Sequence, residues 1–104
     1  MVALARRFVE AGTALVTSAG VVAQVWRGGA RNQVPIAYVL KRTTVVDITH
    51  ARARTIGMVL GASGQADPVD AHVVLIARER GWPVLSSDPA DLLAIDPTLT
   101  VERI

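Results

Sequence analysis

The sequence predicts an α/β fold: a three-layer, open and mostly parallel sheet flanked by helices. Three observations carry this. Short β-branched runs alternate with segments of helical periodicity along the chain. Helix-start and helix-stop residues fall between them at regular intervals. About half of the 104 residues are apolar, which supports one core burying roughly 60 to 70% of the unfolded surface at this length. The expectation is a single domain, 1–104.

Each element has its own justification. Met1, Leu4, Ala5 and Phe8 recur at helical spacing, with Arg6, Arg7 and Glu10 on the other side and Gly12 as a stop. TALVT (13–17) is short and β-branched, a buried strand. Ser18 caps a helix carrying Val21, Val22, Val25 and Trp26, ended by Gly28 and Gly29. A polar turn, Arg31, Asn32 and Gln33, leads into an apolar helix over 34–40, with Pro35 in its first turn and Lys41 and Arg42 at its C-terminal end.

TTVVDI (43–48) is the second strand. Thr49 caps a helix whose buried stripe is Ala53, Ile56, Gly57 and Leu60, with Arg52 and Arg54 outward. GASGQA (61–66) is a flexible loop. Asp67 as N-cap and Pro68 at the first helical position open a helix apolar on nearly every side over 71–77, closed by Arg78-Glu79-Arg80-Gly81. A strand over 83–85, a short helix over 90–94 and an edge strand over 99–103 complete the chain. The chain begins on a helix, whereas a crossover α/β fold normally begins on a strand, so a missing first strand is expected.

Composition narrows the chemistry. Without cysteine there are no disulfides, thiol nucleophiles or thiolate metal sites, so any cofactor must be held by oxygen or imidazole. No apolar stretch is long enough to span a bilayer and no secretion signal precedes the first helix, so a cytoplasmic location is expected. The net charge of +2 conceals a strong asymmetry. Residues 1–66 hold eight Arg or Lys against two acids, and residues 67–104 hold three against seven.

The acids concentrate in two copies of one pattern, Asp67-Pro68-Val69-Asp70 and Asp88-Pro89-Ala90-Asp91. Asp88 follows a strand and Asp70 lies in the first turn of a helix, positions that meet at the carboxyl edge of an open α/β sheet. Mg²⁺ or Mn²⁺ takes carboxylate oxygens, often one or two from the protein plus substrate phosphate. Asp-Pro-x-Asp is also an ideal helix start, and spacing alone favours capping over metal binding. Ser86 and Ser87 are placed either to contact a phosphate or to close a turn. His50 and His72 have no partner at ligand spacing and read as surface or satisfied histidines; Trp26 and Trp82 read as packing anchors. No phosphate loop, nucleophile elbow or dinucleotide fingerprint occurs. A phosphoacceptor receiver domain would need an acidic pair early and a lysine late, and the only lysine is Lys41.

From Val45 onward, Val-Val-Asp-Ile, a helix, Asp70-Ala71-x-Val73-Val74-x-x-Ala77, Arg-Gly, a strand and Ser86-Ser87-Asp88-Pro89-x-Asp91-Leu92 resemble PIN-domain nucleases, VapC-type toxins of bacterial toxin-antitoxin pairs most closely. The resemblance implies a PIN-like sheet and an Mg²⁺- or Mn²⁺-dependent endoribonuclease with RNA as substrate and a cognate antitoxin as partner. It places Asp70 and Asp88 as catalytic metal ligands assisted by Asp91, with Asp67 and Ser86 behind them, Ser86 standing where the family commonly has Thr. The 21–27 segment resembles the helix that supplies a Glu in that family, and this chain has Gln24 there. Arg27 and Arg31 are the candidate RNA contacts. The family's first Asp lies on an opening strand that this chain lacks. The expectation is therefore a truncated or late-started PIN-like domain whose exposed strand edges are covered by dimerisation or strand exchange. The alternative is a non-catalytic PIN-like remnant that binds a protein or itself.

Overall fold

Amphipathic spacing at the start of the chain produces a helix, α1 (Val2–Glu10), closed by Gly12 at φ 79°. The computed structural model describes residues 2–28 and 33–104. Within it the chain divides into two units, Met1–Asp47 and Ile48–Ile104.

In the N-terminal unit α1 is followed by β1 (Leu15–Ser18), α2 (Ala19–Val25), α3 (Gln33–Lys41) and β2 (Thr43–Val46). Ser18 is the N-cap of α2, as expected, its hydroxyl accepting from the Gly20 N–H at 3.0 Å. Gln33, read as part of a turn, is instead the first residue of α3 and is buried. Its Oε1 accepts from the backbone N–H of Arg27 at 2.7 Å and of Gly28 at 3.3 Å, satisfying donors beyond the end of α2. Gly29, Arg31 and Asn32 lie outside the described residues. β1 and β2 pair in parallel, Leu15 opposite Thr43 through to Ser18 opposite Val46. Among the described residues of this unit only Ser18 and Gln33 are buried, and no apolar side chain is. Hydrophobic burial within it is correspondingly thin.

The C-terminal unit holds the core. It comprises α4 (His50–Ser63), α5 (Pro68–Arg80), β3 (Val84–Ser86), α6 (Pro89–Ile95) and β4 (Val101–Arg103). Thr49 caps α4 as expected, accepting from the Arg52 N–H at 3.1 Å. Helix α4 runs past Gly61 to Ser63 and stops where Gly64 turns left-handed at φ 72°, so the expected loop is shorter. Its buried stripe also differs: Ile56 is buried, but Ala53 and Gly57 are exposed. Arg52, expected to face outward, is half-buried and pairs with Glu79 on α5 through two contacts of 2.9 Å.

Helix α5 has the predicted start and stop, Asp67 as N-cap and Gly81 at φ 65°. Ala71, His72, Val74, Leu75, Ile76 and Ala77 are all buried, as a helix apolar on most sides requires. His72 has no exposed surface, and burial, followed by the Arg52 charge, lowers its pKa while Glu79 opposes this. His50 is exposed. Trp26 and Trp82 keep 43% and 44% of their surface exposed, too much for full packing anchors.

Ile56, Ala71, Val74, Leu75, Leu92 and Ile95 form one cluster, with Val84 and Val101 packed against it from the strands. β3 and β4 are parallel, Val84 opposite Val101 and Ser86 opposite Arg103, and α6 is the crossover between them. The expected α/β class and parallel pairing are therefore present. The described strands form two two-stranded sheets, β1–β2 and β3–β4, because each crossover returns beside the strand it left. No helix of the described residues is long and apolar enough to cross a membrane.

Candidate functional site

Two helix starts in the C-terminal unit carry the Asp-Pro-x-Asp pattern, and the structure gives them different jobs. At the start of α5 the backbone of Asp67 is extended (φ −90°, ψ 108°), and its Oδ1 accepts from the N–H of Val69 at 2.9 Å and of Asp70 at 3.3 Å. Asp67 is thus a working cap. Asp88 occupies the same place before α6 at φ −134°, ψ 73°, and its side chain makes no capping hydrogen bond. Its own N–H donates instead to Ser86 Oγ at 3.0 Å. Ser86 therefore closes the turn after β3 and Asp88 is left with a carboxylate that does not serve the helix.

Asp70 lies in the first turn of α5 and is half-buried. Its pKa is raised, first by burial and then by the charges of Asp67, Asp91 and Asp88. Asp91, in the first turn of α6, is raised first by a hydrogen bond with the Asp88 carboxyl, then by the Asp88 charge, with burial and Asp67 following. Four carboxyl groups from two helix starts therefore share one negative field. The expected pair Asp70 and Asp88 is brought into mutual influence, together with Asp91 and Asp67.

Such a field suits a divalent cation in its donor chemistry, since hard oxygen ligands under like-charge repulsion gain by sharing a positive ion. The geometry goes less far. Among the described residues no group of three or more His, Asp or Glu is arranged to hold a metal ion, so Asp70, Asp88 and Asp91 do not make a ready three-carboxylate cage.

The remaining predicted residues belong to the N-terminal unit. Gln24 is exposed on α2, in the N-terminal unit. Arg27, expected to face RNA, places Nη1 on the carbonyls of Ala23 at 3.0 Å and Trp26 at 2.8 Å, the carbonyl end of α2. Arg31 is outside the described residues.

Sequence reasoning missed Asp96. It is 5% exposed, its Oδ2 receives Arg78 Nε at 2.6 Å, and its Oδ1 receives Thr98 N–H at 2.9 Å and Thr98 Oγ1 at 2.6 Å. The Asp-Pro-Thr run at 96–98 was the available signal, an Asx turn with a hydroxyl two residues on.

No protein-family model, no curated protein and no solved structure matches this chain.

A stability measurement separates the two readings of Asp70. Its folded pKa lies above the ordinary 3.8, so its contribution to stability is complete below that pH and is lost as pH rises through the folded value. At neutral pH the ionised carboxylate opposes folding. Asp70→Asn is therefore expected to raise the melting temperature at pH 7 in chelator, by a few degrees at most. A helix-start acid acting through the dipole predicts the opposite, a lower melting temperature.

Proposed function

We propose that the chain is a PIN-like, Mg²⁺- or Mn²⁺-dependent endoribonuclease of the toxin type, with its site at the starts of α5 and α6. The observation that carries this is the shared field of Asp70, Asp88 and Asp91, in which Asp88 stands at a helix start without capping it. In this reading Asp70 and Asp88 would hold the cation, which when bound would supply Lewis acidity toward a scissile phosphodiester. Asp91, in the first turn of the helix that Asp88 opens, would assist them by adding negative charge beside the cation. Asp67 keeps the first turn of α5 in place, and Ser86 sets the turn that presents Asp88. An antitoxin protein and a second copy of the chain are the proposed protein partners.

The test is cleavage of a labelled single-stranded RNA with added Mg²⁺ or Mn²⁺. Asp70→Asn and Asp88→Asn are each expected to lower the rate at least tenfold while leaving the circular dichroism unchanged. Cation-dependent cleavage that survives both substitutions refutes the site.

A second reading, a non-catalytic PIN-like module that binds protein, draws on the absence of a three-ligand group among the described residues and on the thin burial in the N-terminal unit. Wild-type protein that neither takes up Mn²⁺ in calorimetry nor cleaves RNA favours that module over the nuclease.

A further inference from the structure

We propose that the α1–α3 face of the N-terminal unit binds the phosphates of single-stranded RNA through Arg6 and Arg42, both staged on the ring of Tyr38. Helices α1 and α3 pack against each other. The Arg6 guanidinium carbon lies 4.6 Å from the Tyr38 ring centroid, and that of Arg42 lies 3.8 Å from it. Each contact is a cation–π attraction, and Tyr38 itself is half-buried, so the ring is a fixed platform. Arg42 is held further by Nη1 donating to the Tyr38 carbonyl at 2.9 Å.

Two consequences follow from this geometry. Guanidiniums lying against a ring spend their faces on it and keep for a ligand those N–H groups that Glu10 and the Tyr38 carbonyl do not take, with less rotamer freedom to lose when they bind. Two positive charges held close to one centroid also repel each other. Glu10 relieves only Arg6, through an exposed contact at 3.1 Å, and Arg42 meets a neutral carbonyl. The sequence around them adds no balance, with six Arg or Lys against two acids in residues 1–47. An anion chain with closely repeating charges answers both cations at once.

Single-stranded RNA fits better than the other polyanions. A membrane surface needs several apolar side chains to insert, and among the described residues of α1 and α3 only Val34 is a large apolar side chain left exposed. Arginine N–H edges held in place by a ring suit the closely spaced phosphates of a flexible strand, which can bend to meet both. The proposal does not depend on cleavage, because binding is read in chelator, where a cation-dependent reaction is silent.

The experiment is fluorescence anisotropy of a labelled single-stranded RNA with the full chain in EDTA, over a range of salt. The Arg6→Gln, Arg42→Gln double variant is expected to weaken binding at least tenfold and to make the logarithmic salt slope shallower by about 1.4, the loss of two phosphate contacts. Tyr38→Leu, which changes no charge, is expected to weaken binding severalfold, whereas Tyr38→Phe keeps the wild-type affinity. Glu10→Gln is expected to tighten binding by releasing Arg6. An unchanged salt slope in the arginine variant overturns the proposal. If Tyr38→Leu fails to fold by circular dichroism, the arginine and Glu10 variants decide. Equal affinity for anionic phosphatidylserine vesicles or for polyglutamate overturns the assignment to nucleic acid.

Discussion

Replacing Asp96 with alanine is expected to cost the C-terminal unit about 3 kcal/mol, because one buried carboxylate satisfies three donors and water does not replace it readily. Arg78 Nε, Thr98 N–H and Thr98 Oγ1 all end on it. Together they tie the last turn of α5 to the segment that leads into β4. The Arg78 side chain is 45% exposed and recovers water when its partner is removed, so the penalty falls mainly on the Thr98 groups and on the lost tie. Asp96→Asn keeps the shape and one acceptor, and it is expected to cost about half as much.

The same group gives an acid signature. Hydrogen bonds from Thr98 and then Arg78 lower the Asp96 pKa from 3.8 to about 2. A lowered folded pKa means that the stabilisation is complete above 3.8 and is lost as pH falls through the folded value. The window between about 4 and 2 is worth about 2 kcal/mol from this residue. Denaturant melts followed through that window in wild type and Asp96→Asn check it. The wild type should lose stability more steeply, and parallel curves would show that another carboxylate controls acid unfolding.

Asp96 also shows what local sequence conveys and what it does not. Helix α5 was legible because each boundary is written in residues with one physical use: Asp67 as acceptor for free N–H groups, Pro68 where no N–H is needed, Gly81 where φ must be positive. The end of α4 was not. GASG offers two glycines, and the helix takes the second, Gly64, while Gly61 stays helical with open space around it. Strands were legible as β-branched runs, yet a run of three or four residues carries no record of its partner. The division into two two-stranded sheets follows from pairings that only the folded chain defines.

The acidic site was legible as composition and repeat, but not as function. Asp67 and Asp88 occupy the same place in the same motif, and only the backbone angles separate the one that caps from the one that does not. In the turn after β3 Ser86 takes the Asp88 N–H, and the Asp88 carboxylate makes no capping hydrogen bond to α6. Arg6, Tyr38 and Arg42 were less legible still. Arg6 reaches Tyr38 only because α1 packs on α3, a contact that helical periodicity does not specify.

Leu92→Ala is expected to be as damaging as the loss of Asp96, and to act on the site as well. Leu92 is 4% exposed and belongs to the cluster of Ile56, Ala71, Val74, Leu75 and Ile95. Truncation of such a leucine removes buried apolar surface and leaves a cavity, at a cost of about 3 kcal/mol. Helix α6 has only seven residues and its other buried contact is Ile95, so Leu92 is half of its anchorage. Asp88 and Asp91 ride on that helix start. When α6 loosens, their charges withdraw from Asp70, and the Asp70 pKa should fall toward its ordinary value, leaving the part due to burial. Carboxyl ¹³C titration of Asp70 in wild type and Leu92→Ala, alongside denaturant melts, measures both effects. Leu92→Met, close in volume, should spare both. A variant that loses stability while Asp70 titrates unchanged would show that the acidic field is built by α5 alone, and the assignment of Asp88 and Asp91 to a shared site would fall with it.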